Sequence, residues 1–451
     1  MALLSRVALA DAAKRARGCS RPIRLVGSTI RVDRATGQVI ERYGSADELD
    51  GITYVRCGDR RAHRCESCSR EYKGDAWHLL TAGMSGGKGI PDTVAEHPCV
   101  FGTLTAPSFG PVHTRGRHGS CRPRRDRPVC PHGRPLYCFG RHDEDDRRLG
   151  EPLCGDCYDY LGHVLWQWWA PELWRRFTEL LYTRLAHRIG LTKTEFREVG
   201  KLAYAKVVEF QARGIIHVHF VARLDGAAGP DSAPPSGLTA TDIAAAVLEV
   251  AAAQRYTVRP DGDEPVALRW GDQADAGPAD PEKAAGYLAK YLTKSTEDFG
   301  ITAPGKVHSA VDARYLGARP HAVRLIETAE HLTATGGKDY ARLADRYGTL
   351  GYRGHPITKT RRYSVTFGQL RRARRLHRRQ PRLAPDADVR EIPAGVDPDD
   401  NDTVAVIREW AYAGSGFLDA DQAALAFTAA QLALERRRDR LRELTPGTPV
   451  P

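Results

Sequence analysis

No run of about eighteen apolar residues occurs in this chain, so nothing in it reads as a bilayer-spanning helix. Its start, Met1 to Ala10, lacks the long apolar core and cleavage site of a secretory leader. No internal repeat is found, which leaves out stacked-repeat architectures. Acid is missing altogether from Arg353 to Arg382, which carries eleven Lys and Arg residues. These absences set the first expectation: a cytoplasmic protein without a membrane partner, with room in 451 residues for two or three domains.

What is present is charge and cysteine. Lys and Arg total 67 against 56 acids, a net charge of +11 that equals the excess in that one basic stretch. Such a balance suits an acidic partner, nucleic acid before membrane. The ten cysteines include two C-x-x-C pairs, Cys65/Cys68 and Cys154/Cys157. In a reducing compartment such pairs present thiolates to tetrahedral Zn²⁺ rather than forming a disulfide scaffold. The most economical grouping puts Cys130, Cys138, Cys154 and Cys157 in one site with His132 to spare. Cys57, Cys65 and Cys68 begin a second, completed by Cys121 or Cys99.

The stretch Ile216-His217-Val218-His219-Phe220 follows a turn at Ala212-Arg213-Gly214. Residues two apart on a strand share a face, so His217 and His219 point one way and their apolar neighbours the other. A three-residue hairpin loop ending in a left-handed glycine sets Glu209 opposite His217 and Val207 opposite His219. Glu209 is then the third-ligand candidate for a divalent ion, with Gln211 second; a one-residue slip would bring Phe210 over instead.

Around this hairpin, Ile23–Tyr43 reads as a second hairpin, Val100–Thr105 as a strand, and Tyr158–Arg188 as a helix interrupted at Pro171 with four core tryptophans. Residues 1 to about 17 and Thr241–Gln254 read as helices, as does the span from about Ala420 to Glu443. From Glu282 to Lys294, the helical advance of about 100° per residue gathers Tyr287, Lys290, Tyr291 and Lys294 into one arc, with Ala285, Leu288 and Leu292 on another. An ordinary amphipathic helix would also show that division. Arg361–Phe367 alternates as a strand before a basic helix, Gln369–Arg379. Lys359, Arg361, Arg362, Arg371, Arg372, Arg374 and Arg375, interleaved with aromatics, form a phosphate-contacting candidate.

Two histidines and a polar third donor can hold Mg²⁺ or Mn²⁺ with open positions, polarising a phosphate oxygen. Tyrosine can attack phosphorus to give a covalent phosphotyrosine, and the neighbouring lysines can stabilise the charge. On these residues the chain resembles the HUH superfamily of rolling-circle replication initiators. His217-Val-His219 resembles the HUH motif, Tyr287-Leu-Ala-Lys290-Tyr291-Leu-Thr-Lys294 the two-tyrosine motif, and Phe101-Gly-Thr-Leu-Thr105 the first motif. Cys57-Gly-Asp-Arg-Arg61, Thr103–Gly110, Pro152–Tyr160 and Arg361–Phe367 resemble, more closely, the RepSA-like initiators of actinomycete plasmids and integrative elements.

That resemblance implies an α+β fold, with a central antiparallel sheet and flanking helices, a zinc-binding N-terminal region and a basic C-terminal region. The expected segments are residues 1–98 with a zinc knuckle, and 99–300 as the HUH nuclease domain with a zinc-binding insertion at about 121–157. A basic DNA-binding region, 301–385, and an acidic linker with a C-terminal helix, 386–451, follow. It also implies a strand-specific nick at a plasmid origin, single-stranded at the nick site, with a 5′-phosphotyrosine and later rejoining. Host helicase and polymerase are expected partners. Glu282, which points away from the tyrosine arc, favours two tyrosines over a tyrosine–glutamate scheme. A conjugative relaxase or transposase would share the chemistry; a zinc-stabilised DNA-binding regulator would share only the cysteines and arginines.

Overall fold

The computed structural model describes residues 16–116, 120–260, 264–292, 307–379 and 403–444. It divides the chain into two compact units, Leu80–Ser364 and a unit made of Met1–Leu79 with Val365–Pro451. The segments expected from sequence follow one another along the chain; in the structure the two flanks of the chain share one unit. Both units are α+β with antiparallel sheets. No helix among the described residues is long and apolar enough to cross a membrane.

In the flanking unit, β1 (Ile23–Asp33) is the shared strand. It pairs with β2 (Val39–Gly44), as the Asp33–Gln38 turn dictates, with β3 (Thr53–Val55), and along its length with the strand Val404–Ser415. In this unit the basic helix Phe367–Arg379 meets the first part of the helix Glu66–Ser85, where Tyr72 stacks on Phe367 at 4.8 Å. The C-terminal helix spans Ala420–Leu444. The expected N-terminal helix and the acidic linker fall on residues outside those described, the helix for all but its end.

The central unit is organised by a five-stranded antiparallel sheet. Its members are β4 (Cys99–Leu104), β5 (Gly200–Phe210), β6 (Ile216–Gly226), β9 (Asp275–Pro278) and β10 (Ile357–Lys359), in the order β10-β5-β6-β4-β9. A small ribbon of β7 (Tyr256–Val258) and β8 (Val266–Leu268) stands apart. Strand alternation gives β5 and β6 one apolar face, carrying Val208, Ile216, Val218, Phe220 and Leu224, and packed helices bury it. The long helix Tyr160–Arg188, capped by Asp159 accepting from the Gly162 N–H at 2.7 Å, supplies Trp166, Trp174 and Phe177 to that core. Pro171 does not interrupt it. A proline deletes one helical hydrogen bond, and burial on both sides of it outweighs that loss.

Two expectations need correction. Arg361–Phe367 is not a strand: the ladder ends at Lys359, and the buried side chains of Tyr363 and Val365 belong to a turn that imitates alternation without pairing. Lys359 is half-buried and turned onto the backbone. Its Nζ donates to the carbonyl oxygens of Ser364 (2.7 Å) and Thr360 (3.3 Å), and burial pushes its ammonium down to about 8.

A lysine sits on the core face of the sheet. Lys206 is 5% exposed, with Nζ 5.1 Å from the Trp174 ring centre, and burial lowers its pKa from 10.5 to about 8. Between those two values the unfolded lysine keeps a proton that the folded one has lost. Its contribution is therefore fully present above the unfolded value and lost as pH falls through about 8, a swing of roughly 3 kcal/mol at most. Denaturation midpoints measured from pH 7 to 10 should rise in the native protein, and Lys206→Met should remove that residue's share of the rise.

Candidate active site and metal centres

The hairpin turn forms as its residues demand. Gly214 takes φ +85°, Gln211 N–H donates to the Ile215 carbonyl at 2.8 Å, and the register sets Glu209 opposite His217 and Val207 opposite His219. The turn is gripped from below by buried polar groups. Gln167 Nε2 donates to the Gly214 carbonyl (3.1 Å), while its Oε1 accepts from the Ile216 N–H (3.0 Å). His321 Nε2 donates to the Arg213 carbonyl (2.9 Å), which leaves its Nδ1 to accept from the Tyr160 hydroxyl (3.1 Å).

On the solvent side of the sheet the histidine rings lie 4.4 Å apart. His219 Nδ1 is 3.1 Å from the Thr103 hydroxyl on β4, which leaves Nε2 facing Glu209 Oε2 at 3.6 Å. Burial, and then the neighbouring His219, push His217 down to about 4, so it is neutral and able to act as a ligand at pH 7. Its Nδ1 sits 3.0 Å from Gln211 Nε2, and the Gln211 Oε1 accepts from Arg213 Nε at 3.0 Å. With both amide ends engaged, Gln211 orients the ring and the guanidinium.

The helix Pro281–Tyr291 starts where its sequence says, with Asp280 accepting from the Lys283 N–H at 3.2 Å and proline in the first turn. It buries Ala285, Leu288 and Leu292, as the apolar arc requires. Its other arc meets the histidines. The Tyr291 ring stacks on His219 at 5.2 Å, Tyr287 meets it edge-on at 5.1 Å, and the phenols lie 4.6 Å apart. Phe101 closes the group, 5.6 Å from Tyr287. Burial, followed by the bond with Tyr291, raises the Tyr287 phenol above its ordinary value. Lys290 is exposed on the same helix; Lys294 lies outside the described residues. A cleft of about 750 Å³ runs past Glu209, His217, His219 and Tyr287.

The cysteines group differently from the sequence expectation. Among the described residues, three sets of four can each hold a metal such as zinc, every set with its donor atoms within 4.8 Å of one another: Cys19/Cys57/Cys65/Cys68, His113/Cys121/Cys138/His142 and Cys130/His132/Cys154/Cys157. Cys138 therefore leaves the set with Cys154 and pairs with Cys121, His132 becomes a full member, and Cys19 completes the first site. Cys99 belongs to none; it sits on β4, where burial raises its thiol to about 12.

The seven basic candidates do not form one group. Lys359, Arg361 and Arg362 are in the central unit, and the four helix arginines are in the flanking one. Arg374 is turned inward onto Glu71 (2.7 Å) and Asp75, leaving Arg371 and Arg375 as the exposed pair.

The family model for RepSA, "Replication initiator protein, pSAM2", matches residues 5–431. This chain belongs to the RepSA family of replication initiators. It is 38% identical over 445 residues to a "Replication initiator protein" of Streptomyces ambofaciens, covering 95% of this chain and 91% of that one. No solved structure matches. In this RepSA-family chain, sequence reasoning gave no role to Gln167 and His321, both buried, and read Thr103 only as part of the β4 motif. Cys19, His113 and His142 were missed because each stands outside a C-x-x-C pair.

Proposed function

We propose that this replication initiator nicks one strand of a plasmid origin through tyrosine attack and starts rolling-circle synthesis from the break. The observation that carries the reading is the convergence of Tyr287 and Tyr291 on the ring of His219, at 5.1 and 5.2 Å, beside a cleft. An antiparallel sheet with both histidines on a middle strand and the tyrosine helix over the same face is the arrangement that the HUH resemblance implies.

The donor set fits a divalent ion. His219 Nε2 and Glu209 Oε2 face each other, and His217 is neutral, so these three are the proposed ligands; for His217 to bind through Nε2, the Gln211 amide must turn its oxygen to Nδ1–H. Two imidazoles and a carboxylate suit Mn²⁺ at least as well as Mg²⁺. Such an ion supplies charge to a scissile phosphate and lowers the barrier to attack.

In the proposed reaction the Tyr287 oxygen forms a bond to phosphorus as the bond to the 3′ oxygen breaks. The phenolic proton is lost to solvent, the 3′ oxygen takes one up, and the resulting 3′ hydroxyl primes synthesis. Lys290 and Lys294 are the proposed stabilisers of the developing charge. Tyr291 is the proposed second nucleophile, whose attack releases a closed circle, and this needs no ATP because the phosphotyrosine retains the diester bond energy.

The test offers labelled single-stranded origin DNA to the full-length protein with Mn²⁺, or with EDTA in its place. A covalent protein–DNA adduct is expected with Mn²⁺ only. An adduct that persists in Tyr287→Phe/Tyr291→Phe, or none from any origin strand, would overturn the mechanism; the latter leaves a zinc-stabilised DNA-binding protein as the better account.

A further inference from the structure

The set His113/Cys121/Cys138/His142 is built like a metal centre to its second layer. Tetrahedral Zn²⁺ places its nitrogen and sulfur ligands about 3.5 Å apart. Here Cys121 Sγ lies 3.6 Å from His113 Nδ1, and Cys138 Sγ 3.6 Å from His142 Nε2. The other nitrogen of His142 is held by Asp146 at 2.7 Å, the carboxylate support that fixes the tautomer of a ligand histidine.

This centre is fastened to the histidine hairpin. His113 N–H donates to the Glu151 carbonyl, and Gly150 N–H donates back to the His113 carbonyl, each at 2.9 Å. Gly150 has φ +85°, and a Cβ there would stand 1.8 Å from the Ala212 carbonyl oxygen, so the loop touches the turn backbone directly. Arg319 bridges the two, donating to the carbonyls of Arg147 and Ala212, both at 3.1 Å. The cleft that begins at Tyr287 and the histidines continues along this loop and is lined there by Thr114, Arg115 and Arg122. Arg122 is exposed and anchored through Nε to the Val112 carbonyl at 3.1 Å. Arg115 has a 3.4 Å ion pair with Glu144, but both side chains are largely in water, so a phosphate can compete for it at little cost.

We infer that the metal-bound loop is the far wall of a channel for the DNA strand flanking the nick, with Arg115 and Arg122 contacting its phosphates and the metal at His113/Cys121/Cys138/His142 holding that wall in place. This rests on the nicking reading above. A groove of positive charge leading away from the reacting phosphate is what a single strand needs for register. The protein would then require metal for two separable purposes: strand binding at this centre, and chemistry at the histidines.

Fluorescence anisotropy tests this with a labelled strand of about twenty thymidines and the full chain, without added Mg²⁺ or Mn²⁺. Arg115→Glu/Arg122→Glu should weaken binding at least about tenfold and flatten the plot of log affinity against log salt by about 1.4, or about 0.7 for each phosphate left unneutralised. Zinc content should stay as in the native protein. Arg125→Glu/Arg134→Glu, the same charge change on the same loop away from the cleft, should leave affinity within about twofold. Should the reversal variant lose zinc, Arg115→Gln/Arg122→Gln replaces it and is read in the same way. Cys138→Ser should lose one zinc equivalent together with binding.

Equal affinity in the native and cleft variants, or equal weakening in the cleft and control pairs, overturns the channel. So does native affinity in a Cys138→Ser protein that has lost its zinc. The nicking reading fails independently, through absence of a covalent adduct in protein that binds the strand normally.

Discussion

Tyr287→Phe is expected to lower formation of the first covalent DNA adduct by at least about 10³-fold, and Tyr291→Phe by less than about tenfold. Both variants keep the aromatic ring and its packing, so the difference reads the hydroxyl alone. Tyr287 is 42% exposed and lines the cleft, whereas Tyr291 is partly buried and lies flat on His219. In the proposed reaction the incoming phosphate meets Tyr287 first. Tyr291, 4.6 Å away, is near enough to act once a second strand end arrives. Gel separation of the labelled adduct, followed by mapping of the modified peptide, checks both rates and positions. An adduct mapped mainly to Tyr291 in the native protein would reverse the order of attack.

The second large effect lies at the other end of the histidine strand. Asp225→Ala is expected to cost about 3–5 kcal/mol in denaturant unfolding. Arg223 and Asp225 are both fully buried on the face that carries the histidines, joined by bonds of 2.6 and 2.8 Å. Arg223 also donates to the Gly83 carbonyl, and His97 Nδ1 lies 2.8 Å from Asp225. Removing the carboxylate strands a guanidinium without water or counter-charge, far costlier than losing a surface pair. An Arg223→Met/Asp225→Leu double change, which removes both charges, should cost less than Asp225→Ala alone. If the single change is the milder one, this pair is not holding the edge of the site together.

How much was legible follows from how local the determining physics is. The register that brings Glu209 to His217 could be read, because a short turn with one left-handed glycine fixes it within a few residues. The tyrosine arc could be read for the same reason, since helical rotation is local. The cysteine grouping could be read only in part: Cys57 joins Cys65 and Cys68, and Cys130 joins Cys154 and Cys157, as expected. Cys121 meets Cys138 through loops with little regular structure, and sequence spacing says little about which thiols such loops bring together. Lys359 and Arg374 looked like phosphate contacts from composition alone, yet one fills a ring of carbonyls and the other pairs with Glu71 and Asp75. Charge density along a sequence does not tell which side of an element meets the protein itself.

The pairing of Ile23 with Ser415 and of Asp33 with Val404 has a consequence for biosynthesis. A ribosome makes β1 nearly four hundred residues before its longest partner strand, so the first unit must wait while the centre emerges. The central unit, Leu80–Ser364, contains both halves of the proposed nicking site and is fully synthesised before that strand. A chain released early would carry the proposed chemistry without the sheet that the late strand completes. The flanking unit, which carries the Cys19/Cys57/Cys65/Cys68 set and the arginine helix, is therefore completed only after the strand Val404–Ser415 has been made.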